Sequence, residues 1–338
     1  MKLKNLMNPV LKTILITAVL VGLLGSLFGC SGKTTTTTTS TQTTTTTKTI
    51  TTATSTSNPT TTTSTTTATT TAAVPKPANP ELILSSTTSV RDSGLMDLLL
   101  PLFEKETGYI VKPIYNGSGA AIALGQAGQA DVLVVHSPDA ELQLVADGYG
   151  INRTLFTDNS FILVGPKNDP AGIKGMTSVV AAFKAIAASQ SLFYSRGDAS
   201  GTDTKEKSIW KTAGITQKGQ SWYVEANTGM GDLLRIASEK GGYTLTDRAT
   251  YITQQSTLSL DVMVQNDYPT LVNLYHVIEI NPGAFPTIKI NSAGAKAFRK
   301  FLVSPEIQQA IATYGVDKYG VQLFFADAGK TEASFGSK

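Results

Sequence analysis

ELILSSTTSVRDSGLMDLLLPLFEKETGYIVKPIYNGSG, residues 81–119, holds two short apolar runs separated by a longer stretch of different period. The run ELILSS reads as a buried strand, and GLMDLLLPLFEKETG spaces its apolar residues as a helix does before closing on Gly108. YIVKPIYNG then reads as a second strand. Strand, helix and strand in that order predict a parallel pair with the helix packed on its face. Ligands of such sheets gather at the carboxyl ends of the strands, where the helices begin.

The alternation continues with SGAAIALGQAG as a helix, ADVLVVHS as a third strand and PDAELQLVADG as a helix opened by proline. At NSFILVGPKNDP a long apolar strand changes the rhythm, and a second α/β unit follows it. Another long strand lies in TLVNLYHVIEINP, and the segments after it, SAGAKAFRKFLV and SPEIQQAIATYG, are helical. Two long strands bracketing an inserted unit predict an α/β fold of two lobes, each a mostly parallel sheet flanked by helices, joined by a two-strand hinge. Residues 81–163 and 276–330 are assigned to the first lobe and 164–275 to the second, with the ligand expected in the cleft between them. No solenoid repeat is present.

The first eighty residues read differently. Residues 1–29 have the form of a secretion signal, with Lys2, Lys4 and Lys12 before the apolar run ILITAVLVGLLGSLFG. LFGC matches the lipobox at which cleavage leaves a cysteine to carry lipid, and Cys30 is the single cysteine of the chain. A lone cysteine forms no internal disulfide, so Cys30 is expected to be the lipidation site. Residues 30–80 then form a Thr-rich tether, too poor in apolar side chains to offset the entropy of ordering it. The expected location is extracytoplasmic, lipid-anchored to the cell membrane.

The formal charge of +3 misrepresents the folded body. All six basic residues before Glu81 lie in the signal and tether, which leaves 22 Lys and Arg against 25 Asp and Glu, or −3, for residues 81–338. A slightly acidic body argues against nucleic acid as a partner, and a monomer is expected. An anion site in such a body must be made locally, from dipoles and a single arginine.

Four segments place glycine, serine and threonine between an expected strand and an expected helix. They are SSTTSVRDSG with Thr87, Thr88 and Ser89, NGSGAA with Ser118, FYSRGDASGTDTKE with Arg196 and Ser200, and ANTGMGD with Thr228 and Gly229. Helix starts present unpaired N–H groups and a positive dipole end, so they hold small oxyanions without a lysine-rich surface. The alternative for each segment is an ordinary N-cap. Asp198 fits a capping role or one of orienting Arg196.

Other motifs carry less. Ser208 and Lys211 fit the S-x-x-K of lysine-activated serine hydrolases, but the companion SDN and KTG triplets are absent. The RGD of Arg196–Asp198 spells an adhesion tripeptide, which belongs on an exposed hairpin tip rather than a strand-to-helix junction. No H-E-x-x-H occurs, and neither a resident metal nor a cofactor is expected. His136, ending the third strand near the cleft mouth, is the histidine to check.

STTSVRDSGLMD, DVLVVHSPDAE, DNSFILVGPKNDPAGI, FYSRGDASGTDTKE, WYVEANTGMGD, YTLTDRATY and NLYHVIEINP resemble, in order, the tungstate-binding proteins of ABC-type importers. The resemblance covers most of residues 81–325. It implies a two-lobed, type II periplasmic-binding-protein fold that closes on tungstate, or molybdate as second candidate, and delivers it to a membrane permease. The family's TTTS segment falls here on Ser86, Thr87, Thr88 and Ser89, and its anion-contacting arginine and threonine on Arg196 and Thr202. Ala199 and Asp203 stand where the family has an acidic residue and a histidine. Two outcomes are open for Asp203: weaker anion binding, or a side chain turned to solvent. ANTGMG also departs from the family's glycine-rich form, which puts the contribution of Thr228 in question.

The alternatives within this reading are a phosphate- or sulfate-binding protein of the same fold, with Asp198 or Asp203 accepting the proton of phosphate, and a serine hydrolase using Ser208 and Lys211.

Overall fold

The computed structural model describes residues 76–335. The expected signal, Cys30 and all but the last few residues of the tether lie outside them. Among the described residues no helix is long and apolar enough to cross a membrane.

The elements follow one another as β1 (Glu81–Thr87), α1 (Thr88–Asp92), α2 (Leu95–Thr107), β2 (Ile110–Asn116), α3 (Ser118–Gln126), β3 (Val132–Val135), α4 (Pro138–Ala146) and β4 (Gly150–Pro166). The middle of the chain adds α5 (Val179–Ser189), β5 (Phe193–Ser195), α6 (Gly201–Ala213), β6 (Tyr223–Glu225), α7 (Met230–Lys240), β7 (Thr244–Asp247), α8 (Arg248–Gln254) and β8 (Leu260–Val264). The chain then returns through β9 (Val272–Ile280), α9 (Ser292–Leu302), α10 (Pro305–Thr313), α11 (Val316–Tyr319) and β10 (Phe325–Ala326).

β1 pairs in parallel with β2 and β3, as the opening β-α-β reading requires. The sheet becomes antiparallel where the long strands enter it, β9 against β3 and β4 against β9. β4 begins nine residues before the apolar run that marks it in the sequence. Register shifts between Ile151 and Thr154 and between Leu155 and Thr157 break the alternation there, which is why this half is not legible from periodicity.

β4 changes partners at one point. Residues up to Ser160 pair with β9, and from Phe161 onward the strand pairs with β7 and β8. β5 and β6 form a small parallel sheet, joined to the rest by a bridge between Phe193 and Tyr243.

Each side of that change of partner has its own apolar core. On one side Leu82, Leu84, Leu99, Phe103, Val132, Phe298 and Phe301 pack together from β1, α2, β3 and α9. On the other, Phe161, Phe183, Phe193, Trp210, Trp222 and Tyr243 do so, with Phe193 and Trp210 edge to face at 5.2 Å. The fold is mixed α/β, a central multi-stranded sheet flanked by helices.

Candidate anion site

The short extended segments ending β1, β2 and β5 each hand over to a helix, and the structure brings three of these junctions together. Arg196, just after β5, is 1% exposed despite its charge. Its Nη2 donates to Thr88 Oγ1 at 3.0 Å and its Nη1 to Ser89 Oγ at 3.5 Å. Nη2 also donates to Asp198 Oδ2 at 2.5 Å, so the buried cation has a carboxylate partner within its own loop.

The loop owes its shape to Asp203. This carboxylate accepts from Gly197 N at 3.0 Å, Ala199 N at 3.2 Å, Ser195 Oγ at 3.3 Å and Lys207 Nζ at 2.8 Å. Ser200 Oγ in turn accepts from Asp203 N at 3.2 Å and caps α6. Asp203 is buried rather than turned to solvent, which corrects one of the two outcomes left open for it. Its acceptor positions face the loop backbone, and Gly197 supplies the left-handed conformation that wraps the chain around it.

The α3 start comes against the same loop. Gly119 N donates to Ala199 O at 3.2 Å, and a Cβ on Gly117 would lie 3.1 Å from Ser200 Cβ. Gly201 presses on the end of β3, where an added Cβ would lie 2.4 Å from the His136 carbonyl oxygen. From α7, a Cβ on Gly229 would lie 3.5 Å from Thr88.

Four buried side-chain atoms at these junctions find no hydrogen-bond partner among the described residues: Ser118 Oγ, Thr202 Oγ1, Arg196 Nε and His136 Nε2. A buried polar group left unpaired costs about 1–3 kcal/mol, so such groups are rare and call for an explanation. Three of the four are donors, in the first turns of α3 and α6 and in the loop before α6, where helix N-terminal dipoles favour negative charge.

The remaining candidates are placed differently. Thr87 Oγ1 accepts from Val90 N at 3.3 Å, so that hydroxyl is used as the N-cap of α1. Thr228, two residues before α7, donates its Oγ1 to Asp232 Oδ2 of that helix at 3.5 Å, and it is its neighbour Gly229 that approaches Thr88. Ser208 Oγ donates to Lys205 O at 2.8 Å, and Lys211 is exposed, so neither is set up as an activated pair.

His136 belongs to the site more closely than its place in the sequence suggests. Its Nδ1 is 2.9 Å from Asn273 Oδ1. Asn273 Nδ2 already donates to Asn159, Asp247 and Tyr275, so Oδ1 is the acceptor and Nδ1 carries the proton. Burial, and then the neighbouring Arg196 charge, push this imidazole down to about 3, so it is neutral near pH 7. A cavity of about 600 Å³ opens beside it, lined by His136, Phe161, Gly201, Lys205 and Val272 among others. None of Thr88, Ser89, Arg196 or Thr202 lines that space, so the larger hollow and the cluster of donors are different places. Among the described residues no group of three His, Cys, Asp or Glu is arranged to hold a metal ion.

A family model described as a PBP superfamily domain matches residues 31–306. The chain belongs to the PBP superfamily. Relatives within it include the tungstate-binding protein TupA of Peptoclostridium acidaminophilum, 45% identical over 255 residues, covering 75% of this chain and 88% of that protein. The solved structure of the tungstate ABC transporter from Geobacter sulfurreducens superposes with a TM-score of 0.63 at 42% identity, over 69% of this chain and 98% of that one. The tungstate-binding protein TupA from Desulfovibrio alaskensis G20 does so with a TM-score of 0.62 at 40% identity, over 74% and 99%. The periplasmic-binding-protein fold expected from the sequence is thus the fold of this PBP-superfamily chain.

Proposed function

We propose that this chain is the extracytoplasmic solute-binding component of an ABC importer, and that it captures a tetrahedral dianion, tungstate first and molybdate second, between two lobes. The lobes are residues 81–163 with 276–330, and 164–275. Cys30 carries the lipid that anchors a monomeric protein to the membrane, and a permease receives the anion. On this reading the protein binds and releases its anion and catalyses no reaction.

The observation that carries this reading is the convergence of unpartnered donors around one buried guanidinium. Thr88 and Ser89 accept from Arg196, which turns their own hydroxyl protons toward the anion. Ser118, Thr202 and Arg196 Nε add three more donors. Hydrogen bonds to a charged acceptor contribute about 1.5–3 kcal/mol each, so five of them in an enclosed place can offset dehydration of a dianion.

Selectivity against phosphate follows from the carboxylates. Phosphate holds a proton near neutral pH and needs an acceptor, but Asp198 is engaged by Arg196 and Ser200 N, and Asp203 by the loop. Calorimetric titration of the full chain with tungstate, molybdate, sulfate and phosphate tests the proposal. Tight binding of the first two with weak binding of the others is expected; displacement of tungstate by equimolar phosphate would overturn it.

A further inference from the structure

The TLTD segment that forms β7 ends in Asp247, fully buried and distant in sequence from every donor named above. Its carboxylate accepts from Asn159 Nδ2 at 3.0 Å and Asn273 Nδ2 at 2.9 Å, from the Tyr275 hydroxyl, and from Thr250 N at 3.1 Å. Asn159 lies on β4 and Asn273 on β9, and the two are register partners, one pair before Ser160 and Val272. The next residue of β4, Phe161, pairs with Asp247 itself. One carboxylate therefore grips both long strands at the place where β4 leaves one sheet for the other.

Two arms run from this clamp to the anion site. Asn273 Oδ1 receives the His136 Nδ1 proton, and the His136 carbonyl backs onto Gly201 at the start of α6. On the other side Asp247 caps α8, whose Thr250 Oγ1 lies 3.4 Å from both Ser89 O and Asp247 Oδ1, and whose Thr253 Oγ1 is shared between Thr250 O at 2.9 Å and Asp92 O at 3.1 Å. Asp247, Asn159, Asn273, Tyr275, Thr250 and His136 are all at most 3% exposed. Directional bonds in so dry a setting tolerate discrete arrangements better than gradual bending.

We infer that Asp247 is a positioning residue that ties the oxyanion loop at Thr88 and Ser89 to the crossing of β4 and β9, so that anion capture and lobe closure are one equilibrium. The inference rests on the oxyanion reading and adds the element through which occupancy is transmitted to the hinge. It also gives a use to the TLTD stretch, which contains none of the expected anion-binding residues.

The test uses the full chain, tungstate as probe, stopped-flow measurement of association and dissociation, and small-angle scattering for compaction. Asp247→Asn replaces one accepting oxygen by an NH2 that faces other donors. A tungstate Kd raised at least tenfold, mostly through faster dissociation, with the anion-induced compaction lost, is expected. Thr250→Val removes the hydroxyl that lies 3.4 Å from both Ser89 O and Asp247 Oδ1, leaves the Thr250 N bond to Asp247 in place, and should move both readouts the same way by a smaller factor, about threefold. A merely structural role predicts a lower melting temperature with Kd and compaction intact in the folded protein, and that result overturns the inference. If Asp247→Asn does not fold, unchanged kinetics and compaction in Thr250→Val overturn it instead. Wild-type protein that fails to bind tungstate overturns the oxyanion reading and this inference with it, whereas wild-type binding with unaffected variants overturns the inference alone.

Discussion

Arg196 Nη2 donates to Thr88 Oγ1 at 3.0 Å although 108 positions separate the two residues. The bond joins the loop after β5 to the loop after β1, and each of those loops belongs to a half with its own core. A buried guanidinium with partners on both of those segments ties them together, and its Nε has no partner among the described residues.

Arg196→Ala is expected to weaken tungstate binding by about ten- to a hundredfold, since a charge-assisted hydrogen bond is worth about 1.5–3 kcal/mol and 1.4 kcal/mol is tenfold in affinity. Arg196→Lys keeps the charge but loses the fork that reaches Thr88 and Ser89 together, and should recover only part of the loss. Calorimetric Kd values for the three proteins check the order.

Ser118→Ala and Thr202→Val should move stability and affinity in opposite directions. Each removes a buried hydroxyl that has no partner within the protein, so the anion-free protein should be unchanged or more stable by about 1 kcal/mol. Each also removes a donor to the anion, so the rise in melting temperature on adding tungstate should shrink. Thermal melts with and without tungstate separate the two effects.

Gly201→Ala places a methyl 2.4 Å from the His136 carbonyl oxygen, a backbone atom that cannot step aside. The clash is present in the ligand-free structure, so α6 must shift off the end of β3, and the anion-free protein should melt below wild type although alanine suits a helix better than glycine. Closure should be blocked and tungstate affinity reduced at least tenfold. Scattering profiles that compact normally on adding tungstate would refute this.

Glu206 gives a pH signature away from the site. Trp210 Nε1 and the Tyr223 hydroxyl each donate to its Oε1 at 2.8 Å, and burial pushes the carboxyl up from 4.5 to about 8. The folded protein thus holds a proton that the unfolded chain releases, so this contribution is complete below pH 4.5 and is lost as pH rises toward 8. Glu206→Gln keeps the accepting oxygen without the ionisation. Its stability relative to wild type, followed by urea denaturation, should be flat below pH 4.5 and increasingly favourable between pH 5 and 8.

What could be read from the sequence is what short-range rules govern. The helices α2, α3, α4, α9 and α10 lie within a residue or two of the stretches that periodicity and end signals mark, because side-chain spacing, caps and closing glycines act within a few residues. The serines, threonines and glycines at the strand ends were legible for the same reason. The bulged half of β4 and the two-residue β10 were not, because their pairing comes from distant strands rather than from their own pattern, and the five residues of α1 are too few for a helical period to show.

At the site, the strand-end reading named Thr88, Ser89, Ser118 and Arg196 and the family resemblance added Thr202, but a hydroxyl at a helix start looks the same whether or not it is used by its own turn. Packing shows which of these groups have partners within the protein. Thr87 bonds its own helix, Thr228 leans toward Asp232, and Asp203 points inward to four donors instead of outward to water. Local chemistry along the chain determined which groups could hold an anion; the meeting of loops more than a hundred positions apart was decided only by the crossing of β4 and β9, since contacts at that range depend on how whole sheets pack and no neighbouring residue specifies them.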